Sequence, residues 1–395
     1  MAIEGSSEQT REPRIRLGMV GGGAGAFIGA VHRIAARIDD QFDLVAGALS
    51  ASPDKAIASG RDLGLDPART YASYRDMAIR EAKLKNGIEA VSIVTPNHVH
   101  YDAAKEFLKR GIHVICDKPL TTTLEDAQDL ERTVRRTGLL FAVTHNYTGY
   151  PMVRQAREMI AGGELGALRV VQVEYAQDWL ATPLEQTGQK QAAWRTDPAQ
   201  SGPAGSLGDI GTHAYNLACF VTGLNCRELA AELSTFVPGR RLDDHVQIML
   251  RFAEGARGLL WASQVATGNQ NNLRLRIYGE KGGLEWRQED PNCLWFAPLG
   301  KTPTLIYRAG PGAITVAAHA SRVPAGHPEG YLEAFAQLYT DIAEQISARL
   351  EKRSAAASSL LVPTVEDGVA GMQFISAVLA SSSHNSAWTA VAGRT

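Results

Sequence analysis

The sequence predicts an α/β protein in which a doubly wound parallel sheet is followed by an α+β part with a largely antiparallel open sheet. From residue 15 to about 145, short apolar runs alternate with amphipathic segments, as in β-α units around a parallel sheet. Later in the chain, strand-like runs follow one another with few helices between them. In the run 246–252 every second residue is apolar, which indicates a sheet with one covered face.

The predicted elements are short and regularly spaced. We expect strands at 15–20, 42–49, 90–95, 112–116 and 140–144, separated by helices at 26–38, 53–63, 74–84, 101–110 and 124–137. After a helix at 153–161, we expect strands at 168–175, 229–237, 246–252, 258–265 and 273–278, and helices at 329–350 and 365–380. The composition changes between 145 and 165, so the predicted domains are 14–145 and 146–380.

Composition excludes several classes of protein. The 395 residues allow two domains, each with a core of its own. A formal net charge of -2 gives no electrostatic reason to expect nucleic acid or an anionic membrane as a partner. Residues 1–13 are polar, without the apolar core of a signal peptide, and we expect a disordered lead-in. No apolar run has the length of a membrane span. The cysteines are scattered and predict no disulfide framework, so a reducing cytoplasm is the simplest setting.

A glycine-rich turn joins the first strand to the first helix. The letters GGGAGA at 21–26 fit the dinucleotide fingerprint G-x-G-x-x-A, in which Gly21 makes the tight turn and Gly23 lets a pyrophosphate approach the backbone. The small Ala26 would allow close helix–strand packing, and the helix N-terminus would offer N–H groups to phosphates. Glycine turns also occur for structural reasons alone. The candidate cofactor-binding residues of this turn are Gly21, Gly22, Gly23, Gly25, Ala26 and Phe27.

Residues that follow the strands are further candidates, because ligands of parallel sheets lie outside the carboxyl ends of the strands. Ser50 stands where an acidic residue usually binds the ribose of NAD, so the choice between NAD and NADP stays open. Lys55 and Arg61 are cations that could reach a 2′-phosphate, although such residues are more often solvated helix residues. Thr95 and Asn97 follow the strand 90–95 and should lie at the cofactor edge.

No residue pattern predicts a metal ion. His98 and His100 are spaced like metal ligands, but no carboxylate or cysteine completes the set, and His100 is instead a candidate cofactor contact. The cysteines, Cys116, Cys219, Cys226 and Cys293, lack C-x-x-C spacing and predict neither zinc nor a disulfide framework.

Two further segments carry candidate catalytic residues. Asp117 and Lys118 follow the strand 112–116, and Lys118, fixed by the next proline, is well placed to act on a substrate beside the nicotinamide. A surface lysine in a turn is the alternative. Asp209 and His213 are four residues apart, so on a helix they share one face, and histidine is the natural proton carrier near neutral pH. A capping aspartate and a buried core histidine would give the same spacing.

Taken together, these motifs resemble the glucose-fructose oxidoreductase, inositol dehydrogenase and rhizopine-catabolism (Gfo/Idh/MocA) family. The resemblance spans residues 14 to 380 and is carried by GGGAGA at 21–26, TPNHVH at 95–100, CDKP at 116–119, GDIGTHAYN at 208–216 and YGEKGGLEW at 278–286. It implies a Rossmann domain followed by an open α/β domain, with the family's E-K-P lysine at Lys118 and its D-x-x-x-H pair at Asp209 and His213. Asp117 replaces the usual glutamate, and Ser50 replaces an acidic residue.

The resemblance also implies a substrate and a reaction. Lys118, Asp209 and His213 would be catalytic and would contact a carbohydrate or cyclitol, with Asn146, Tyr147, Gln177, Asp178, Trp179, Trp194 and Arg195 as further candidate contacts. A tryptophan suits a sugar ring and an arginine suits an anionic group, although either residue could instead be structural. Asp117 would orient Lys118 and contact the cofactor.

The expected activity is hydride transfer between NAD, or NADP, and a secondary hydroxyl of a sugar, glycoside or cyclitol. The alternatives are a redox-neutral glycoside hydrolase that retains its NAD, and a catalytically silent sugar or nucleotide sensor. We expect a homodimer or homotetramer assembled through the C-terminal sheet, and no metal, nucleic acid or membrane partner.

Overall fold

The computed structural model describes residues 14–393 of the chain, so the predicted disordered lead-in at 1–13 lies outside the described residues. The helices are α1 (Phe27–Ile38), α2 (Pro53–Asp62), α3 (Tyr74–Glu81), α4 (His100–Leu108), α5 (Leu124–Thr137), α6 (Pro151–Ala161), α7 (Lys190–Arg195), α8 (Pro198–Ser201), α9 (Thr212–Thr222), α10 (Thr315–His319), α11 (Tyr331–Leu350) and α12 (Val365–Ser383). A π-helical turn, Leu207–Gly211, leads directly into α9. Within these residues every helix is too short or too polar to cross a lipid bilayer.

The strands build two separate sheets. They are β1 (Ile15–Gly21), β2 (Phe42–Ala48), β3 (Ala90–Val94), β4 (His113–Cys116), β5 (Phe141–Val143), β6 (Leu168–Ala176), β7 (Cys226–Ser234), β8 (His245–Phe252), β9 (Arg257–Ser263), β10 (Asn272–Gly279), β11 (Gly282–Arg287), β12 (Cys293–Pro298), β13 (Thr304–Tyr307) and β14 (Thr389–Ala390). In the described part of the chain, the first sheet has the order β2-β1-β3-β4-β5 and the second β13-β12-β11-β10-β6-β9-β8-β7-β14. The predicted fold class is confirmed.

The first sheet is parallel throughout, and its strands are apolar because helices cover both faces. The strand order reverses between β1 and β3, which is where a doubly wound sheet opens a crevice at its carboxyl edge. The glycine turn after β1 and Thr95 after β3 border this crevice. Lys118 lies two residues beyond β4, at the same edge.

The second sheet is antiparallel except for one pair of strands, β6 and β9, which run parallel. Along β8, Val246, Ile248, Leu250 and Phe252 are buried, while Gln247 and Met249 between them are exposed. One face therefore packs against helices and the other is open, as the alternation predicted. Because β6 and β9 are parallel, their carboxyl ends meet at the same edge, and the residues that follow them lie side by side.

Two C-terminal helices connect the sheets. Helix α11 packs on the parallel sheet beside α1, with Phe335, Leu338 and Ile342 in one buried cluster with Leu17 and Val31. Helix α12 contributes Phe374 and Val378 to the large core that spans both sheets. The chain before α12 also bonds to the edge of the parallel sheet, where Val143 N donates to Pro363 O at 2.9 Å. Part of the predicted second domain is thus built onto the first.

The ten predicted strands are all present, but some boundaries differ, and four further strands, β11 to β14, were not among the predicted elements. The strand predicted at 229–237 lies at Cys226–Ser234 instead, because the Asp244 carboxylate accepts the N–H groups of Phe236 (2.9 Å) and Val237 (3.0 Å) and turns the chain away from the sheet. Strands β13 and β14 form the two edges of the second sheet, where one-sided pairing leaves little apolar alternation in the sequence. Strand β12 lies next to β13, and its residues are mostly half-buried, so its sequence also lacks a clear alternation.

Candidate active site

The glycine turn has the backbone conformation that its sequence predicts. Gly21, Gly22 and Gly25 have φ angles of 80°, 73° and 75°, in the region that favours glycine. Gly23 is required for another reason, since a Cβ there would lie 2.6 Å from the Leu49 carbonyl oxygen. The turn is thus pressed against the loop that follows β2, and its sequence cannot change without moving that loop.

Close packing of α1 on the glycine turn requires Gly29. A Cβ at Gly29 would lie 2.3 Å from the Gly22 Cα, so helix and turn touch through their backbones at this point. Ala26 is half-buried and stands just before the first helical residue. Gly29 is thus a further small residue that the contact between helix and turn requires, three positions after the Ala26 of the predicted fingerprint.

The N-terminus of α1 fits an anionic group. Ala26 has no side chain that could cap the helix, and its first turn contains no acidic residue. The first N–H groups of the helix are thus left for a ligand, and the helix dipole favours negative charge there. Phe27, 64% exposed, borders the same opening. A pyrophosphate suits this arrangement.

Among the candidate residues after β2 and β3, some side chains already bond within the protein and one has a polar atom without a partner in the described residues. Ser50 Oγ accepts a hydrogen bond from Ser52 N at 3.2 Å and holds the turn after β2. Thr95 Oγ1 is buried without a partner among the described residues. Asn97 donates to the Ser201 carbonyl at 2.9 Å, which ties α8 of the second part to the crevice.

His100 is not placed to contact a cofactor. It is fully buried, with Nδ1 2.9 Å from the Pro119 carbonyl oxygen and Nε2 3.0 Å from that of Thr95. A neutral imidazole carries one N–H, so His100 donates to one of these two carbonyls while its other nitrogen lies against the second, between the loops after β3 and β4. His98 is exposed, so the two histidines do not converge, and within residues 14–393 no three His, Cys, Asp or Glu side chains are arranged to hold a metal ion.

Lys118 and Asp209 meet across the crevice. The Lys118 ammonium lies 3.0 Å from Asp209 Oδ1 and also donates to the Asp209 backbone carbonyl. The second carboxylate oxygen, Oδ2, accepts from Gln264 Nε2 at 2.8 Å and lies 3.2 Å from Arg195 Nε. Burial alone would raise the pKa of Asp209, but the positive charges of Lys118 and Arg195 hold it far below its ordinary value.

His213 lies one turn after Asp209 and is a neutral base. It is 8% exposed, and burial, followed by the charge of Lys118 and the neighbouring His145, lowers its pKa well below the ordinary value. His145 packs edge-on against it, with ring centroids 5.4 Å apart, and burial together with Lys118 lowers the pKa of His145 to about 3. The Nδ1 atoms of both rings are buried without partners in the described part of the chain.

The remaining candidates form the walls around His213. The Tyr147 ring lies 4.9 Å from the His213 ring, and its hydroxyl bonds to that of Tyr175. Tyr175 and Gln177 both donate to Asn271 Oδ1 at 2.7 Å, so this wall is a continuous hydrogen-bonded surface. The Asn146 amide nitrogen is buried and has no partner among residues 14–393.

The opposite wall is aromatic and cationic. The Arg195 guanidinium stacks over the rings of Trp194 (4.3 Å) and Trp179 (5.9 Å), which holds it beside Asp209. Asp178 lies at the rim instead, where it accepts the N–H of Gly268 at 2.9 Å. The structure therefore brings Arg195 and the tryptophans to the catalytic pair and gives Asp178 a role in holding a loop.

Two residues that were not predicted support the helix of the candidate catalytic residues. Gln264 follows β9 as Gln177 follows β6, so the carboxyl-end rule would have found it had the parallel pairing of these strands been foreseen. Asp243 is buried, and its carboxylate accepts from Gly205 N (2.6 Å), Leu207 N (2.8 Å) and Ser206 Oγ (2.9 Å). It thereby fixes the loop from which the π-helical turn starts.

Asp117 does not bond to the Lys118 ammonium, contrary to the expected orienting contact. Its Oδ1 atom instead accepts from Thr144 Oγ1 at 2.6 Å and lies 3.0 Å from His32 Nε2, below the crevice. Consecutive residues of an extended strand end point to opposite sides, which explains why Lys118 reaches Asp209 while Asp117 turns to α1.

Comparison with known proteins agrees with this geometry. Residues 15–145 match the oxidoreductase family with an NAD-binding Rossmann fold (GFO/IDH/MocA), and residues 153–285 match the GFO/IDH/MocA C-terminal domain. A crystal structure of an oxidoreductase from Sinorhizobium meliloti shares 59% sequence identity with a TM-score of 0.87, covering 95% of this chain and 99% of that chain.

Two further relatives have stated ligands or activities. An inositol dehydrogenase homologue from Azotobacter vinelandii, crystallised with NAD+, is 35% identical with a TM-score of 0.91, covering 96% of this chain and 98% of its own. That homologue has also been crystallised with NADH and myo-inositol. The levoglucosan dehydrogenase of Pseudarthrobacter phenanthrenivorans is 30% identical over 70% of this chain and 74% of its own.

Proposed function

The chain belongs to the Gfo/Idh/MocA oxidoreductase family, and from this premise we propose that it transfers a hydride between NAD and a secondary hydroxyl of a sugar, glycoside or cyclitol. The observation that carries the proposal is the meeting of Lys118, Asp209 and His213 at the carboxyl edge of the parallel sheet. A cation, its fixed counter-ion and a neutral base are the groups that oxidation of an alcohol requires. Their position beside the glycine turn supports the use of a dinucleotide.

The reaction converts a secondary alcohol and NAD+ into a ketone, NADH and a proton. Bound NAD+ supplies the hydride acceptor, at nicotinamide C4. His213 accepts the hydroxyl proton through Nε2, since burial keeps this imidazole neutral. The Lys118 ammonium donates a hydrogen bond to the developing alkoxide and lowers its energy. Asp209 holds Lys118 in place, because both of its carboxylate oxygens are used within the protein.

Two features support NAD as the cofactor and leave some tolerance for NADP. The family's Rossmann domain is NAD-binding, and the N-terminus of α1 is free for the pyrophosphate. Ser50 Oγ lies at the end of β2, where it suits a ribose hydroxyl without repelling a 2′-phosphate. We therefore propose that NAD is preferred by a small factor only.

A polyhydroxylated ring is the substrate class that the walls suit best. Trp179 and Trp194 lie beside Arg195 and can offer their other ring faces to the C–H surface of a sugar. The buried Asn146 amide nitrogen, which has no partner among residues 14–393, can donate to a substrate hydroxyl. Relatives named for levoglucosan and inositol act on, or bind, rings of this kind.

The open face of the second sheet exposes Met249 beside Leu259. We propose this face as the contact between subunits, and sedimentation of the purified protein would test it.

The test is a substrate panel with purified protein and NAD+. Myo-inositol, levoglucosan and simple aldoses are offered in turn, and NADH is followed by absorbance. We expect NADH from at least one ring polyol with wild type and little from Lys118→Met, which keeps the length of the side chain but not its charge. Nitrophenol released from a nitrophenyl glycoside without net NADH would favour the redox-neutral glycoside hydrolase. Tight NADH binding with no turnover on any substrate would favour a sensor.

A further inference from the structure

A buried chain of hydrogen bonds runs beneath the crevice to the residue before Lys118. His32, on α1, is fully buried between two partners. Its Nδ1 atom lies 2.8 Å from the Tyr339 hydroxyl on α11, and its Nε2 atom lies 3.0 Å from Asp117 Oδ1. The Tyr339 hydroxyl lies 2.6 Å from Ser92 Oγ on β3. The chain therefore joins three elements of the parallel half to the loop that carries Lys118.

One arrangement of protons satisfies every member of this chain. Asp117 is ionised and can only accept, so His32 Nε2 carries a hydrogen and donates it. In a neutral ring Nδ1 then accepts from the Tyr339 O–H, and Tyr339 accepts from Ser92. The chain ends at Ser92, which is fully buried, so it leads no proton to solvent. Its role is to hold Asp117 in one position.

The surroundings of Asp117 explain why it needs this support. Burial would raise the pKa of its carboxyl group, but His32, Thr144 just after β5 and His100 on α4 together keep it below the ordinary value. Without the His32 donor, a carboxylate beneath the crevice would lose its main electrostatic partner and would rotate or take up a proton. Either change would move the backbone next to Lys118.

Building on the proposed function, we propose that His32 is a positioning residue for Lys118, acting through Asp117. Lys118 is then held from two sides, by Asp209 above the crevice and by the Asp117 anchor below it. Helix α1 also presents the glycine turn at its N-terminus, so one rigid element sets both the dinucleotide site and the lysine.

Two substitutions of His32 separate this role from simple packing. His32→Gln places an amide nitrogen near the position of Nε2 and can still donate to Asp117. His32→Asn places an amide oxygen near the position of Nδ1, so it keeps the Tyr339 bond and loses the Asp117 donor. We expect kcat within about threefold of wild type for the glutamine variant and a ten- to hundredfold lower kcat for the asparagine variant, the scale for a lost bond to a charged group. The Kd for NADH should stay within about threefold in both, since the turn is untouched.

A second readout does not depend on turnover. Reductive methylation with carbon-13-labelled formaldehyde keeps lysines charged and labels them for NMR, and Lys118→Arg identifies the Lys118 resonance. We expect this resonance to shift or broaden in His32→Asn and to match wild type in His32→Gln. If wild type oxidises no polyol, the proposed function fails, while this comparison still decides the role of His32.

The outcomes are distinct. Equal kcat and equal Lys118 spectra in the two variants would overturn the proposal and assign His32 to packing. A loss in His32→Gln without one in His32→Asn would also overturn it, because the Tyr339 bond would then be the one that matters. Tyr339→Phe is the matched control: we expect it to lower the free energy of unfolding and to leave kcat close to wild type.

Discussion

Asp209 uses both of its carboxylate oxygens inside the protein, and this decides the roles of its neighbours. Lys118, Arg195 and Gln264 occupy those oxygens, so the carboxylate fixes the lysine rather than receiving a substrate proton. His213, one turn later, has no such partner within residues 14–393 and stays neutral through burial. We therefore propose that Asp209 orients Lys118 and that His213 transfers the proton.

The first prediction is that Lys118 and His213 act as one unit. Lys118→Ala and His213→Ala should each lower kcat by roughly 10²–10⁴-fold, the scale for a positioned acid–base group. The double variant should cost little more than the worse single variant, because losses in a shared step are not additive. Single-turnover hydride transfer measures this directly.

The control for that experiment is the affinity for NADH, measured by calorimetry. It should survive in all three variants, since neither residue belongs to the glycine turn. Full activity of His213→Ala, or losses that simply multiply in the double variant, would place the proton transfer elsewhere in the crevice.

At the scale of residues, the sequence predicted the site residues that belong to recognisable motifs. It did not predict the residues that hold these side chains in place by hydrogen bonds. Lys118, Asp209 and His213 stand at fixed places in recognisable motifs, and the structure brings them together. Gln264 and His32 bond to partners 55 and 85 residues away, and Asp243 bonds across 37 residues. Nothing in the local sequence marks such partners, because they are defined by the packing of strands and helices that the sequence leaves open.

At the scale of elements, the crossing of α1 over β1 depends on one glycine. Gly29→Ala should lower the free energy of unfolding by about 1–3 kcal/mol, the usual cost of overpacking, and should weaken NADH binding because the helix must lift from the turn. Gly371→Ala, within α12, is the matched control, since a Cβ there meets nothing within 4 Å. That change should stabilise by about 0.5–1 kcal/mol. Urea unfolding of both variants checks the pair, and equal effects would contradict it.

A second element-scale prediction concerns the loop before α9. In Asp243→Asn, an amide group replaces the oxygen that accepts from Ser206 Oγ and Leu207 N. The loop before the π-helical turn should then become less ordered, and the position of Asp209 should become less well defined. We expect kcat to fall about tenfold and stability by about 1–3 kcal/mol, with the Kd for NADH unchanged. Ser206→Ala, which removes one donor and leaves the carboxylate intact, should show a smaller loss. A normal kcat in Asp243→Asn would mean that the loop does not set Asp209.

Elements with strong periodicity were predicted almost residue by residue, and the exceptions have physical causes. Helix α5 begins and ends where the sequence placed it, because Thr123 caps its start and Gly138 its end. The segment 235–237 is apolar enough to continue a strand, but Asp244 binds its backbone instead. The parallel pair β6 and β9 was not expected either, since strand direction leaves no mark on apolar alternation.

At the scale of the whole molecule, folding removes several imidazoles from water. His100, His145 and His213 are buried, and burial lowers the pKa of each. His113, at the start of β4, lies outside the candidate site and uses Nδ1 to accept the Leu140 N–H at 3.0 Å, which only the unprotonated nitrogen can do. The native fold therefore requires neutral histidines in both halves, and its stability should depend on pH well above the range of carboxylates.

The last prediction uses His113 to measure one share of that dependence. Burial, with a smaller effect of Arg349, lowers its pKa from 6.5 to about 4. A depressed pKa means that the unfolded chain binds the proton first, so this stability is complete above pH 6.5 and is lost as the pH falls from 6.5 towards about 4. At a pH of about 5 the loss should be about 1–2 kcal/mol.

The variant His113→Asn keeps an acceptor for Leu140 N but cannot take up a proton. When the pH falls from about 8 to about 5, its free energy of unfolding, measured by urea titration, should therefore decrease by about 1–2 kcal/mol less than that of wild type. The control is His98→Asn, at an exposed position, whose stability should change with pH as that of wild type does. If the free energy of unfolding of His113→Asn decreased as much as that of wild type, protonation of His113 would not be a cause of the acid sensitivity.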